Sequence, residues 1–266
     1  MGNDLLVRPG DDAALSARDA RHDLGLDKQA GNRELEQLRK RLEELQERLF
    51  AEGRRSLLLV LQGLDASGKD GVIRSVFDGV NPQGCRVVSF RAPTSTELSH
   101  DYLWRLHAQL PARGEIGIFN RSHYEDIVAV RMHRLAPEHV WRRRSGHLRD
   151  WERMLTDEGT VIVKAFLNVS REEQLRRFKE RLDDPRKRWK FRKDDLEVAK
   201  RYDEYVDAWD EAITETSTDW APWHVIPANS KTNRNLLVLR LLIARLKSLE
   251  LQHPDPAPGL DEIQVL

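Results

Sequence analysis

Five residues in one short run have the types and spacing to hold a phosphate chain together with a metal ion. They are Gly63, Asp65, Gly68, Lys69 and Asp70, within GLDASGKDG. In a GxxxxGK pattern the glycines let successive backbone N–H groups turn into one concavity at a helix start, and the lysine ammonium bridges outer phosphate oxygens. Ala66 and Ser67 supply the remaining amides of the loop. The run departs from the common pattern after its lysine, where a Ser or Thr hydroxyl ordinarily ligates Mg²⁺. Asp70 stands there instead, and a second carboxylate, Asp65, lies inside the loop. An uncompensated carboxylate facing phosphates is repulsive, so Asp65 is expected to hold the metal, since Mg²⁺ takes carboxylate and phosphate oxygens together. Asp70, at the helix start, is expected to complement the helix dipole.

A second run, FNRSHYED, places Asn120, Arg121, Glu125 and Asp126 after another apolar segment. A loop of this kind is usually complemented there by a second acid. Asn120 brings only an amide, able to orient a metal-bound water, and Glu125 and Asp126 restore the charge a helical turn later. Arg121 is suited to neutralise a transferring phosphoryl group, because a guanidinium presents several donors in a fixed fork. A salt bridge to a neighbouring acid is the competing reading. Further on, residues 180–201 are charge-dense and broken by Pro185. Arg177, Arg181, Arg186, Lys187, Arg188 and Lys190 are interleaved there with Trp189 and Phe191. That composition suits a lid which closes over phosphates and excludes water, although a charge run is equally a solvated face.

The elements that must position these residues are legible as five short apolar runs, at 56–63, 85–90, 115–120, 161–167 and 223–228, interleaved with helical patterns. Near-continuous apolar strands alternating with helices indicate an α/β fold, a five-stranded parallel sheet covered on both faces in three α/β/α layers. Ligands in such sheets sit at the carboxyl ends of the strands, where both motifs fall. Residues 1–33 lack sustained periodicity and are expected to form a flexible arm. Leu35, Leu38, Leu42, Leu45 and Leu49 then make one stripe on a helix. The domain is expected to run over 34–252, followed by an irregular tail at 253–266 with three prolines.

The chain has 266 residues, 39% hydrophobic and 33% charged, with 44 basic and 44 acidic residues, so any attraction for a polyanion must be local. Cys85 is the only cysteine and excludes an internal disulfide. No apolar run has the length of a membrane span and no signal-peptide core opens the chain, so a soluble, cytoplasmic protein without membrane contact is expected. The histidines lack metal-ligand spacing. Basic residues at 142–149, with Arg131 and Arg134, lack the interleaved aromatics of a nucleic-acid platform, so no nucleic-acid partner is expected.

GLDASGKDG, FNRSHYEDIV and RLDDPRKRWKF, in this order and over residues 34–250, resemble the polyphosphate kinase 2 family. The resemblance implies a P-loop kinase core with a helical lid, moving a terminal phosphoryl group between inorganic polyphosphate and nucleotides with Mg²⁺, or Mn²⁺ in its place. Asp inside the glycine frame and the missing Ser/Thr are then family features. By motif, Asp65 resembles the metal-binding loop acid, Lys69 the phosphate-binding lysine, Arg121 the strand-end arginine and Arg181 the lid arginine. The form around Asn120 is similar to the class III branch, which acts on both nucleoside mono- and diphosphates. AMP, ADP and ATP are thus the expected nucleotides, and Asn120, Glu125, Asp126, Lys187 and Lys190 the expected selectivity residues, with Glu125 or Asn120 completing the metal site. The rival readings are an ATP-dependent nucleotide kinase on the same core and a non-catalytic polyanion-binding module. The leucine stripe permits self-association, and a homo-oligomer is expected.

Overall fold

The computed structural model of the chain describes residues 3–191, 193–256, 258 and 259. Its strands are β1 (Leu6–Val7), β2 (Ser56–Gln62), β3 (Cys85–Ser89), β4 (Ile116–Asn120), β5 (Thr160–Asn168) and β6 (Trp223–Pro227). Its helices are α1 (Lys28–Glu52), α2 (Lys69–Val76), α3 (Ser95–Leu98), α4 (Trp104–His107), α5 (Glu125–Met132), α6 (Glu138–Asp157), α7 (Arg171–Asp183), α8 (Lys193–Lys200), α9 (Tyr202–Thr216) and α10 (Lys231–Lys247). They form an α/β fold on one sheet in the order β1-β6-β5-β2-β4-β3. The five expected strands are all present and mutually parallel. The sheet has one strand more than expected, because β1 joins β6 antiparallel. No described helix is long and apolar enough to cross a membrane.

The central strand β2 is buried at every residue, as an unbroken SLLLVLQ run requires when both faces of a sheet are covered. Helices α1, α2 and α10 pack with one another on the sheet, and α5, α6 and α9 form the second helical group. Helix α1 starts earlier than the leucine stripe suggests, at an Asp27 cap whose carboxylate accepts from the Ala30 N–H at 2.7 Å. Leu35, Leu42, Leu45 and Leu49 are buried, and α1 lies along α10. The stripe expected to permit self-association is therefore covered within the chain. Gly31 makes the close approach possible, since a Cβ there would stand 2.8 Å from the Thr232 methyl.

Residues 3–27 depart from the expected flexible arm. Val7 and Ala13 are fully buried, and Leu15 nearly so. The Leu15 N–H donates to Asp210 Oδ1 at 2.6 Å, the Ala13 N–H to Thr214 Oγ1 at 2.9 Å, and the Ser217 hydroxyl to the Val7 carbonyl at 2.5 Å. The segment is a strap along the β6 edge and α9. Its partners lie far along the chain and its strand has two residues, so local periodicity carries no trace of it.

Burial of Val7 and Leu15 contributes about 2 kcal/mol each, before the buried hydrogen bonds are counted. Removal of residues 1–20 is expected to leave the sheet formed but to lower the melting temperature by about 10 °C, as read by a thermal melt followed by circular dichroism.

Candidate active site

The register of the sheet brings the two motifs together. Leu61 of β2 pairs with Asn120 of β4, so the loop after β2 and the turn after β4 emerge side by side at the carboxyl edge. The Arg121 N–H donates to the Leu61 carbonyl at 3.1 Å and joins the two exits directly.

In the loop, the carbonyls from Gly63 to Ser67 all have partners on the protein side. Lys69 Nζ donates to Gly63 and Leu64 at 2.6 and 3.2 Å. Gln174 of α7 donates to the Asp65 carbonyl at 2.9 Å. Arg177 of α7 donates through Nη1 to the Ala66 and Ser67 carbonyls, both at 2.9 Å, and through Nη2 to Ala228 and Asn229 at the end of β6. Arg234 of α10 donates to the Ser67 carbonyl at 3.2 Å. In a planar trans peptide the next residue's N–H points opposite to the carbonyl. The Ala66 and Gly68 N–H groups are thereby aimed away from the clamp, as an anion cradle at the start of α2 requires. Gly63 is needed for space as well as for its positive φ of 145°, since a Cβ would stand 2.7 Å from the Leu167 carbonyl. The Ser67 hydroxyl is buried and has no hydrogen-bond partner among the described residues.

Charge converges at the mouth of the loop. Asp65 forms an ion pair and hydrogen bond with Arg121, which also faces Glu125 at 3.4 Å. Burial would raise the Asp65 carboxyl, but Arg121, Lys69 and Arg181 together hold it below the usual range, so it stays ionised. Arg181, in the last turn of α7, thus reaches Asp65 with its field, and its guanidinium lies 5.6 Å from the Phe178 ring centroid. Burial, with the like charge of Arg121, brings Lys69 down to about 8. Glu125 and Asp65 hold Arg121 fully protonated against its burial. Arg121 also occupies the left-handed region, at φ 64°, a cost of the order of 1 kcal/mol for a non-glycine residue.

A buried knot supports that turn. Glu152 of α6 accepts from Tyr124 OH at 2.7 Å and from Lys164 Nζ of β5 at 2.7 Å, with His123 Nε2 at 3.1 Å. All four side chains are fully buried. Gln62, turned so that its nitrogen faces Glu125 Oε1 at 3.1 Å and its oxygen the Ser122 hydroxyl at 3.0 Å, ties the end of β2 to the same turn.

Other expected residues fall differently. Asn120 donates to Asp70 Oδ1 at 2.9 Å, so Asp70 has a partner beyond the helix dipole and the Asn120 amide nitrogen is engaged. Asp126 does not join the cluster: it lies against Arg105 and Arg144 at 3.6 and 3.7 Å, and burial raises its carboxyl against their pull. Successive helical residues point about 100° apart, so Glu125 can face Arg121 only if Asp126 faces elsewhere. Lys187 is exposed and paired with Asp184 at 2.9 Å, while the Lys190 side chain lies outside the described residues. Arg177, grouped above with the lid, is instead the buried clamp of the loop. The lid segment comprises the end of α7, a short 3-10 turn at Arg188–Lys190 and α8. It rests on the loop through a small apolar cluster of Ala66, Phe178, Ala199 and Phe191. The tail beyond 259 and Ala257 lie outside the described residues. Sequence reasoning missed Gln174 and Arg234; an arginine on the buried face of the leucine-rich α10 was the one available signal.

Among the described residues, no group of three or more His, Cys, Asp or Glu side chains is arranged to hold a metal by itself. Asp65, kept ionised, is a single hard oxygen donor of the type that divalent cations take together with phosphate oxygens.

The family model of polyphosphate kinase 2 (PPK2) matches residues 25–254. The chain is 54% identical over 238 residues to an AMP/ADP-polyphosphate phosphotransferase of Meiothermus ruber, covering 90% of this chain and 89% of that one. It is 44% identical over 231 residues to an ADP-polyphosphate phosphotransferase of Rhodopseudomonas palustris, covering 82% and 80%. A crystal structure of polyphosphate kinase 2 from Arthrobacter aurescens TC1 superposes with a TM-score of 0.94 at 41% identity, covering 98% of this chain and 93% of that one.

With Lys69 brought down to about 8 in the free protein, its charge is half lost at that pH, nearly complete a unit below it and nearly gone a unit above. Affinity for inorganic tripolyphosphate is expected to be flat between pH 7 and 7.5. Above pH 8 it should fall, by up to about tenfold per pH unit, as measured by isothermal titration calorimetry at constant ionic strength.

Proposed function

Because this chain belongs to the polyphosphate kinase 2 family, we propose that it transfers the terminal phosphoryl group of inorganic polyphosphate to AMP and ADP, giving ADP and ATP. The observation that carries this reading is the convergence of Lys69, Arg121 and Arg181 on the one loop carboxylate, Asp65. Three cations gathered on one loop acid, with Glu125 on the far side of Arg121, suit a site where two polyanions must approach each other.

In the reaction an oxygen of the acceptor phosphate attacks the terminal phosphorus in line, and the bridging P–O bond to the shortened chain breaks. An ionised phosphate is already a nucleophile, so no side-chain base is required, and positioning and charge neutralisation supply the acceleration. The Ala66 and Gly68 amides receive donor phosphate oxygens. Lys69 Nζ, two of whose three N–H donors hold the Gly63 and Leu64 carbonyls, gives the third to a phosphate oxygen, a charge-assisted bond. Arg121 and Arg181 offset charge on the equatorial oxygens, and Arg181 does so from the helix that leads into the lid, so that closure and neutralisation coincide. Asp65 would hold Mg²⁺, or Mn²⁺ in its place, whose charge would reduce the mutual repulsion of the phosphates. Glu125, fixed against Arg121, orients that guanidinium, and Asn120 holds Asp70 clear of the phosphates.

Incubation with long-chain polyphosphate, a divalent cation and either AMP or ADP, with no other donor, is expected to yield ADP and ATP by chromatography. Product formed only when ATP is the donor would contradict the reading. Lys69→Ala, Asp65→Ala and Arg121→Ala are each expected to lower kcat by about 10²–10³-fold, with melting temperatures close to the wild-type value.

A further inference from the structure

Arg234 is a buried cation with no acid paired to it among the described residues. The residue is 3% exposed. Its hydrogen bonds go to neutral oxygens: Nε and Nη2 to Asn235 Oδ1 at 3.1 and 2.8 Å, and Nη1 to the Ser67 carbonyl at 3.2 Å. Among the described residues no carboxylate lies within ion-pair distance of it, and the charge that acts on it is that of Arg177. Glu173 sits 2.7 Å from Arg177 Nε and offsets that guanidinium, not Arg234. Burial and Arg177 together lower Arg234 to about 10, so it remains charged at neutral pH.

The surroundings add to the positive potential. Helix α2 begins directly after Gly68 with no side-chain cap and with Asp70 in its first turn, and α10 has no acid in its first turn. Both helix starts carry partial positive charge. The loop is shaped to admit the guanidinium: a Cβ at Gly68 would collide with Arg234, and one at Gly71 would stand 3.1 Å from Nη2. A strut to the Ser67 carbonyl alone would not need a charge, because Arg177 already donates to that oxygen at 2.9 Å. A buried, unpaired cation among other positive charges is a poor stability device. It becomes favourable when an anion occupies the other side of the loop.

We infer that Arg234 is a positioning residue for the phosphate chain, a fixed positive charge behind Ser67 and Gly68 that is uncompensated in the free protein and compensated when a polyanion fills the cradle. The inference rests on the reading of the loop as a phosphate site. Arg234 touches no substrate; it acts through the loop backbone and through its field.

The test compares wild type, Arg234→Met and Arg234→Lys in two measurements. Binding of inorganic tripolyphosphate is followed by calorimetry without nucleotide, and melting temperature is taken without ligand. Arg234→Met is expected to melt within a few degrees of wild type, or above it, and to bind tripolyphosphate about tenfold more weakly. Arg234→Lys is expected to regain most of that loss. In turnover, Arg234→Met should raise KM for polyphosphate about tenfold with kcat nearly unchanged. Wild-type affinity in Arg234→Met would overturn the inference, as would a collapse of its ligand-free stability, which would mark Arg234 as a strut. Failure of the wild type to bind tripolyphosphate would instead overturn the reading of the loop itself.

Discussion

The site depends on one constraint: the carbonyls from Gly63 to Ser67 must all be held on the protein side of the loop. A phosphate cradle is a short stretch of backbone that shows donors and hides acceptors, and an unpaired buried carbonyl would cost about 1–3 kcal/mol. The chain meets the constraint with groups from distant elements. Lys69 serves the first two carbonyls, Gln174 the third and Arg177 the last two. Helix α7 is thus a brace for the loop, while α10 packs on the sheet. Because α7 leads into the segment proposed as a lid, that segment is anchored in the same residues that shape the loop.

The second requirement is charge balance between states. Without phosphate, the cations of the site are shared among too few acids: Arg121 has Asp65 and Glu125, Lys69 turns to carbonyls, and Arg234 has only neutral oxygens. Arg121 is moreover held at a positive φ by the β2 exit and by the buried Glu152–Lys164 knot beneath its turn. A site strained and positively biased in this way gains most when a polyanion arrives, which is how binding energy becomes available for bringing two phosphates into line.

What the sequence made legible was local. The glycine frame, the strand-to-helix context and the alternation of apolar runs follow from neighbouring residues, and they led correctly to the parallel strands and to both motifs at one edge; the ion pairs of Arg121 with Asp65 and Glu125 are the competing salt-bridge reading. The N-terminal strap was not legible, since Val7 and Leu15 find their partners some two hundred residues away. The helical phase that separates Glu125 from Asp126 was implicit in the sequence, but which of the two faced the loop depended on Arg105 and Arg144 from other elements. Arg177 looked like one more basic residue near a lid, and only the fold shows it buried against Ala66 and Ala228. Arg234 left a fainter sign, a guanidinium on the inward face of a helix otherwise filled with leucine and isoleucine.

The central claim is that the clamped backbone turns its amides to the donor phosphates. It is tested most directly by ¹⁵N-¹H correlation spectra of the uniformly labelled protein during titration with inorganic tripolyphosphate. The Ala66 and Gly68 amide protons are predicted to move downfield more than any others, as expected for amides that acquire a charged acceptor. Largest shifts at a different surface, with these two amides unmoved, would contradict it.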